Sequence, residues 1–297
     1  MPKFYAHLHK VLPLLLLTIP LLYLVTLARG LVLGDPTEYT MIANILGIAH
    51  PPGYAFITVL GKLWQTLIPF GDIPWRMHLL SAVGGTAAAA CLYGILKTIG
   101  TQEAASSDQS PISPSLNLSI AAALFAAFSL AFSANWWQHA IHANPHIWTA
   151  LFLAFNLLCL TRWAAAEEIT TRSSNLNPQA SNLSWLFLFS FSAGLGLTHH
   201  PLTVFAFPAY GIFMVVTRPR LLLDWRTWLK MVAFALLGLS LWLYFPLRSP
   251  STPFGPTSMN TLNGFLDHVL ARGLSDSLPY FRLVDLPNRL VVFWSIP

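Results

Sequence analysis

Residues 34–54 read GDPTEYTMIANILGIAHPPGY and separate two long apolar parts of the chain. The stretch holds the first two carboxylates of the sequence, Asp35 and Glu38, directly after an apolar run at residues 11–33. It closes with His50–Tyr54, where two prolines and a glycine form a rigid turn. An apolar run long enough to cross a bilayer, followed at once by two carboxylates, predicts a polar loop at a membrane surface.

The composition on either side of this loop indicates an all-α integral membrane protein. Of the 297 residues, 55% are hydrophobic and only 9% are charged, whereas a soluble domain carries about 25% charged residues. A helix needs about 20 apolar residues to cross a bilayer. The sequence therefore predicts about seven spans, at residues 11–33, 76–99, 118–136, 145–163, 184–199, 201–217 and 227–247.

The segment at residues 55–70 is apolar but short, and Lys62 and Gln65 interrupt it. We expect a short amphipathic or re-entrant helix at the membrane interface, within a first outer loop that covers residues 34–75. With this assignment Lys and Arg are concentrated on the side of the N-terminus, which predicts that this side faces inward. Counting the segment as a full span would remove that bias.

The composition changes again in the C-terminal part of the sequence, residues 248–297. It is polar at first and ends in RLVVFWSIP, where a new apolar run begins. We therefore expect a transmembrane domain at residues 1–247, followed by an outer-face loop with one short helix and the start of a further apolar segment. On this interpretation the chain is truncated.

Cysteine and charge usage argue against several other classes of protein. Cys91 and Cys159 lie in apolar runs and are expected to pack as small hydrophobes, without the spacing of a redox or zinc site. The net charge of +5 comes from scattered basic residues, which indicates membrane topology and no nucleic-acid partner. The first apolar run is too long for the core of a cleavable signal peptide.

The acidic pair has two compatible interpretations. In the first, Asp35 is a helix N-cap, Pro36 is the first helical residue and Glu38 completes a capping box. In the second, the two carboxylates are catalytic, because ionisable groups near membrane depth are costly and mark functional sites. A carboxylate at a helix start is held in place and stays ionised, so the first role supports the second.

The histidines and Arg248 also leave alternatives open. The segment HAIHANPH, residues 139–146, has histidines spaced as in some metal sites, but no Cys or carboxylate completes the set and we expect no metal. His199 and His200 are either core residues or hydrogen-bond donors to a phosphate, and the following Pro201 starts a helix. Arg248 is either an interfacial arginine or a ligand for a lipid phosphate.

Several of these segments together resemble the DUF2723 family of membrane proteins, which are related to protein O-mannosyltransferases. The resemblance covers about residues 11–256 and is most specific in its first block. The matching segments are GDPTEY…LGIAHPPGYAFITVLGKLW, DIPWRMHLLSAVGG, FSANWWQHAIHANPHIWTALFLAFNLL, GLGLTHHPLTVFAFPA and YFPLRSPSTPFGP. The family fold implied is of GT-C type, a multi-helix bundle with a catalytic acidic residue in the first outer loop.

The resemblance also implies roles for individual residues. It makes Asp35 the catalytic base, with Glu38 beside it in the acidic pair. The binding residues that it implies for donor or acceptor are His50, Tyr54, His199, His200 and Arg248. We add Arg76 to them as a further cation near the first outer loop. One departure is the turn Asn144-Pro145-His146, which replaces a Glu-containing turn of relatives and is expected to alter specificity or reduce activity.

The implied reaction is transfer of a sugar, by family analogy mannose, from a polyprenyl-phosphate carrier to a hydroxyl of an acceptor protein or glycan. The carrier is a substrate, and we expect no cofactor; membrane lipids are further partners. Alternatives are a transporter or flippase of a lipid-linked or small polar substrate, and a non-catalytic scaffold. The expected location is a bacterial inner membrane with the site facing outward, or an endoplasmic reticulum membrane.

Overall fold

The computed structural model describes residues 16–106, 114–172, 183–272, 284 and 286–295, and these ranges contain helices and no strand. The α-helices are α1 (Thr18–Thr26), α2 (Asp35–Ile45), α3 (Ala55–Leu67), α4 (Ile73–Ser106), α5 (Pro114–Ala131), α6 (Ala134–Ala140), α7 (Pro145–Arg172), α8 (Ser184–His199), α9 (Phe207–Thr217), α10 (Trp225–Leu239), α11 (Tyr244–Arg248), α12 (Leu262–Val269) and α13 (Leu286–Ser295). Short 3-10 turns occupy Pro201–Ala206, Pro219–Leu223, Ser240–Leu243 and Ser249–Ser251. The all-helical prediction is confirmed for the described chain.

Three helices in the described ranges are long and apolar enough to cross a membrane: Ile73–Gln102, Pro145–Ile169 and Trp225–Ser251. The pair α5 and α6 qualifies as a fourth span if it is counted as one bent unit, with an angle of 68° between its halves. These helices are those of a multi-pass membrane protein. The span predicted at residues 118–136 corresponds to this bent pair, because Ser133 adopts an extended backbone and starts α6 in a new direction.

The other predicted spans correspond to shorter helices. Helix α8 has 16 residues, and a 3-10 turn from Pro201 continues into α9, so the predicted break after His199 is confirmed. Helix α1 covers nine residues of the first predicted span, whose residues 11–15 lie outside the described ranges. The count of seven spans, and the division at residue 247, stay predictions.

Helices α8 and α10 pack with their backbones in close contact at two glycines. A Cβ atom on Gly194 would meet the carbonyl oxygen of Ala235, and one on Gly238 would meet that of Phe191. Close helix contact at small residues is typical of helix pairs in membranes, where packing supplies much of the association energy. The pair forms a wall on which α9 and the end of α7 assemble around the buried Trp163.

The loop at residues 34–75 folds onto the first long helix. It contains α2 and the predicted short helix at 55–70, which the structure places at Ala55–Leu67. Both pack on α4 and the start of α7, in a core that includes Tyr39, Tyr54 and Trp148. This packing fixes the position of the acidic pair relative to the start of α7.

Candidate functional site

Helix α2 begins at Asp35, one residue earlier than the capping interpretation requires. Gly34, with φ of 88°, precedes the helix, and no side chain caps its first turn in the described chain. Asp35 therefore lies inside the first turn, where the helix dipole favours a carboxylate. The predicted N-cap and capping box are wrong, because Glu38 is bound elsewhere.

Glu38 holds the ring and the backbone of His50. Its Oε1 accepts a hydrogen bond from the His50 amide at 2.8 Å, and its Oε2 lies 2.7 Å from His50 Nδ1. The loop after α2 runs back along the helix and brings both donors to the first turn. The carboxylate thereby fixes the Nδ1–H tautomer of His50 and leaves Nε2 directed toward the Tyr39 hydroxyl, 3.5 Å away.

Tyr54 is the centre around which the aromatic residues of the site pack. Its ring centroid lies 4.9 Å from Tyr39, 5.5 Å from His50 and 5.4 Å from His200. The Tyr54 backbone has φ of 54°, in the left-handed region that a bulky residue rarely adopts. Such strain costs on the order of 1–3 kcal/mol and occurs preferentially at functional sites.

The open side of this cluster is formed by Asp35, His146 and His200. The rings of His146 and His200 lie 6.2 Å apart. The exposed Asp35 carboxylate is close enough to interact electrostatically with His146 and Tyr54. It accepts no hydrogen bond from the described residues, so its oxygens are available to a substrate.

Burial sets the protonation of the groups around the carboxylates. It raises the pKa of the Tyr39 and Tyr54 hydroxyls, and the charges of Asp35 and Glu38 add to the rise. Burial, followed by the nearby imidazoles, lowers the pKa of His200. At neutral pH the tyrosines are therefore protonated and His200 is neutral, so these groups act as hydrogen-bond donors and acceptors.

His199 lies behind the site. Its side chain is 0% exposed, and its Nε2 donates to the Pro145 carbonyl at 2.7 Å, which ties the end of α8 to the start of α7. The sequence interpretation as a core histidine fits this placement better than that of a substrate ligand.

The turn Asn144-Pro145-His146 is held in place by hydrogen bonds from nearby side chains. The side-chain Nδ2 of Asn144 lies 2.8 Å from His139 Nδ1. The side-chain Oδ1 of Asn144 accepts a hydrogen bond from the His146 backbone amide at 2.8 Å. His78 Nδ1 accepts from the Ala143 amide at 2.8 Å, while its Nε2 donates to the Gly30 carbonyl at 2.8 Å. The turn thus presents His146 on a fixed backbone.

The two arginines expected at the site lie elsewhere. Arg76 donates to the carbonyls of Gln65 and Phe70, at the far end of α3 from Tyr54. A helix of 13 residues is about 20 Å long, so Arg76 is remote from the cluster. Arg248 donates to carbonyls at the C-terminal end of α2, the end opposite Asp35.

All eight histidines that the structure describes belong to one network of contacts, which we call the histidine end. Its histidines are His50, His78, His139, His142, His146, His199, His200 and His268. The sequence analysis considered His146 as a metal ligand and as part of the turn that departs from relatives, and it missed the pairing with His200. The signal was available, because Pro145 starts one helix at the membrane surface where His199 ends another. No three of the described His, Cys, Asp or Glu residues are arranged to hold a metal ion.

An apolar cavity of about 380 Å³ lies between α8, α9 and α10. Leu197 and Phe207 belong to its lining and flank His199 and His200 in the chain. The cavity continues along α8 to Phe189 and opens between the helices. An apolar space whose lining comes within two residues of His199 along α8 suits an amphipathic molecule with a long apolar chain.

Comparison with known proteins places this arrangement in a family. The family model described as the protein O-mannosyl-transferase TMEM260 N-terminal domain matches residues 35–223. Protein O-mannosyl-transferase TMEM260 of Mus musculus is 29% identical over 252 residues, which cover 83% of this chain and 32% of the relative. The Dictyostelium discoideum protein of the same name is 23% identical over 262 residues, covering 86% and 30%.

The chain spans about a third of the length of these relatives. No solved structure matches it. The matched region starts at Asp35 and contains the acidic pair, His50, Tyr54 and His200. It covers more than half of the sequence, and the chain therefore belongs to the family of the TMEM260 protein O-mannosyl-transferase N-terminal domain.

Proposed function

We propose that this chain carries the active site of a GT-C type glycosyltransferase, related to the DUF2723 proteins, that moves a sugar from a polyprenyl-phosphate carrier to a protein hydroxyl. Mannose is the first sugar to test, since two relatives are named protein O-mannosyl-transferases. The observation that carries the proposal is the unequal use of two carboxylates. Both oxygens of Glu38 are bound to His50, whereas Asp35 is exposed and accepts no hydrogen bond from the described residues.

Asp35 is the proposed general base. It takes the proton of the acceptor hydroxyl while that oxygen bonds to the anomeric carbon, and the bond from that carbon to the phosphate oxygen breaks. A positioned carboxylate in this role is commonly worth about 10²–10⁴-fold in rate. The sugar arrives already joined to its leaving group, so the reaction as proposed uses no cofactor and no metal.

With its Nδ1–H donated to Glu38, His50 presents an unprotonated Nε2, which can accept a hydrogen bond from a hydroxyl of the sugar or the acceptor. The leaving phosphate is assigned to the imidazoles of His146 and His200, which line the open side of the cluster. Their N–H groups can stabilise the negative charge that develops on the phosphate. The expected arginine ligands do not support this role, because the guanidinium groups of Arg76 and Arg248 are bound to backbone carbonyls.

The lipid part of the donor is assigned to the apolar cavity between α8 and α10. With the phosphate at His200, the first isoprene units would lie beside Leu197 and continue toward Phe189. We retain a bacterial inner membrane, with the site facing outward, as the proposed location, and an endoplasmic reticulum membrane as the alternative.

The proposal is tested with the purified protein in proteoliposomes. We expect a photoreactive polyprenyl-phosphate analogue to crosslink to α8 or α10, and radiolabelled polyprenyl-phosphate-mannose to transfer its sugar to a Ser- and Thr-containing acceptor. Crosslinking with movement of the label across the membrane and no transfer would indicate a flippase. Absence of both crosslinking and transfer would contradict the lipid-linked donor.

A further inference from the structure

The short connection from Ile45 to Ala49 is held by a part of the chain about 200 residues away. This connection links α2 to His50, and four of its five carbonyl groups and one of its amides bond to residues 244–268. The hydrogen bonds run from Arg248 Nη2 to Ile45 O (3.2 Å), Arg248 Nε to Leu46 O (2.7 Å), Tyr244 Oη to Gly47 O (2.6 Å), Ile48 N to Phe254 O (3.0 Å) and His268 Nε2 to Ala49 O (3.0 Å).

The same contact is packed as tightly as a protein core. Ile48 and Ala55 are buried with Phe245, Met259 and Val269. A Cβ atom on Gly53 would lie 2.6 Å from the Phe245 ring and 3.2 Å from His268. The turn that carries His50 and Tyr54 therefore rests directly on the C-terminal segment.

Arg248 is the centre of this contact. Its Nε and Nη2 bridge two successive carbonyls at the end of α2, and its Nη1 reaches Ser251 Oγ at 3.4 Å. Leu46, which supplies one of these carbonyls, has φ of 53° and lies in the left-handed region. A guanidinium group has the rigid geometry to bind two acceptors at once, which a lysine ammonium group lacks.

We propose that residues 244–269 position His50 against Glu38, and that Arg248 is the main positioning residue. The amide and the ring of His50 both bond to Glu38, so a shift of the preceding connection breaks both contacts together. The segment lies outside residues 35–223, which the family model matches, and yet it completes the site. The catalytic consequence rests on the proposed function, whereas the positioning itself does not.

The positioning is tested by hydrogen exchange in the purified protein, which needs no substrate. In Arg248→Ala we expect peptides covering residues 45–54 to exchange at least about tenfold faster, with peptides of α4 and α7 unchanged. Arg226→Ala is the matched control, because Arg226 is exposed and stacks on Trp225. Exchange in residues 45–54 that matches wild type would overturn the proposal.

A second set of variants covers the case in which Arg248→Ala does not fold. Arg248→Lys keeps the charge but loses the bridge, and Tyr244→Phe removes one hydroxyl. Both are expected to speed exchange in residues 45–54 relative to wild type, by less than about tenfold. Faster exchange throughout the molecule would show a general stabilising role and overturn the positioning role.

Sugar transfer separates positioning from direct contact with the donor. If Arg248 acts through His50, Arg248→Ala combined with His50→Gln transfers sugar within about twofold of His50→Gln alone. If the reductions in transfer rate of the two single variants multiply in the double variant, Arg248 acts independently of His50, and the proposal is overturned. Faster exchange in residues 45–54 with unchanged transfer would support the positioning and count against the proposed function.

Discussion

The two ends of the molecule use their carboxylates in opposite ways. At the end opposite the histidines, Glu167 accepts from Arg218 at 3.1 Å and from the buried Trp163 at 3.2 Å. The neighbouring Glu168 accepts from Gln102 at 2.7 Å. At the histidine end, both oxygens of Glu38 are likewise bound, in this case to His50. Asp35, in contrast, is exposed and accepts no hydrogen bond from the described residues.

This difference separates carboxylates that hold helices together from Asp35, the carboxylate for which we propose a catalytic role. Glu167 joins α7 to the residues after α9, so its charge serves the fold. Asp35 accepts no hydrogen bond from the described residues, and its contribution to the fold is the stabilisation of a carboxylate in the first turn of a helix, about 0.3–1 kcal/mol. Its position beside a strained, histidine-rich cluster supports the catalytic role that we propose for it.

The first prediction concerns Glu38→Gln, which removes the charge that orients His50. In Glu38→Gln an amide N–H replaces one oxygen and favours the opposite tautomer of His50, so we expect transfer to fall about 10²-fold. Initial rates in proteoliposomes, at equal amounts of folded protein, measure the effect. A rate equal to that of wild type would show that the pair has no part in the reaction.

At the opposite end we expect a loss of stability in place of a loss of activity. Glu167→Gln weakens a partly buried ion pair and is expected to lower the free energy of unfolding by about 1–3 kcal/mol. Transfer per folded molecule should remain that of wild type. Asp267→Asn, which breaks an exposed ion pair with Arg272, is the control and should cost less than about 1 kcal/mol. Equal losses in both variants would contradict the structural role of Glu167.

The smallest predicted effect is a dependence of stability on pH. Burial lowers the pKa of His142, His200 and His268, so below pH about 6.5 the unfolded chain binds protons that the folded chain excludes. We expect the thermal unfolding midpoint to be highest above that pH and to fall between pH 6.5 and 5. His268→Gln should make the fall shallower. A midpoint that rises on acidification would contradict this account.

Local patterns in the sequence predicted much of the fold. The helix start near Asp35, the short helix after Tyr54 and the break at Pro201 all follow from proline, glycine and apolar periodicity. The bend between α5 and α6 was missed, since its residues Phe132 and Ser133 carry no strong helix-breaking signal.

The candidate site was predicted only in part, because long-range contacts decide the use of each polar group. The grouping of Asp35, Glu38 and His50 follows from one short loop, and sequence proximity suffices to find it. The roles of Arg76 and Arg248 depend on which carbonyls the fold leaves unpaired, and a sequence does not show this. The same limit applies to His146, whose partner His200 lies on another helix.

The most direct test of the central claim is the single-turnover transfer rate of Asp35→Asn, with enzyme in excess over labelled polyprenyl-phosphate-mannose. The control is Asp72→Asn, which alters an exposed carboxylate that caps α4 through the Trp75 amide at 2.8 Å. The account predicts that Asp35→Asn folds, crosslinks the donor analogue and transfers about 10²–10⁴-fold more slowly, while the control stays close to wild type. A rate for Asp35→Asn within about twofold of wild type would contradict the assignment of Asp35 as the base.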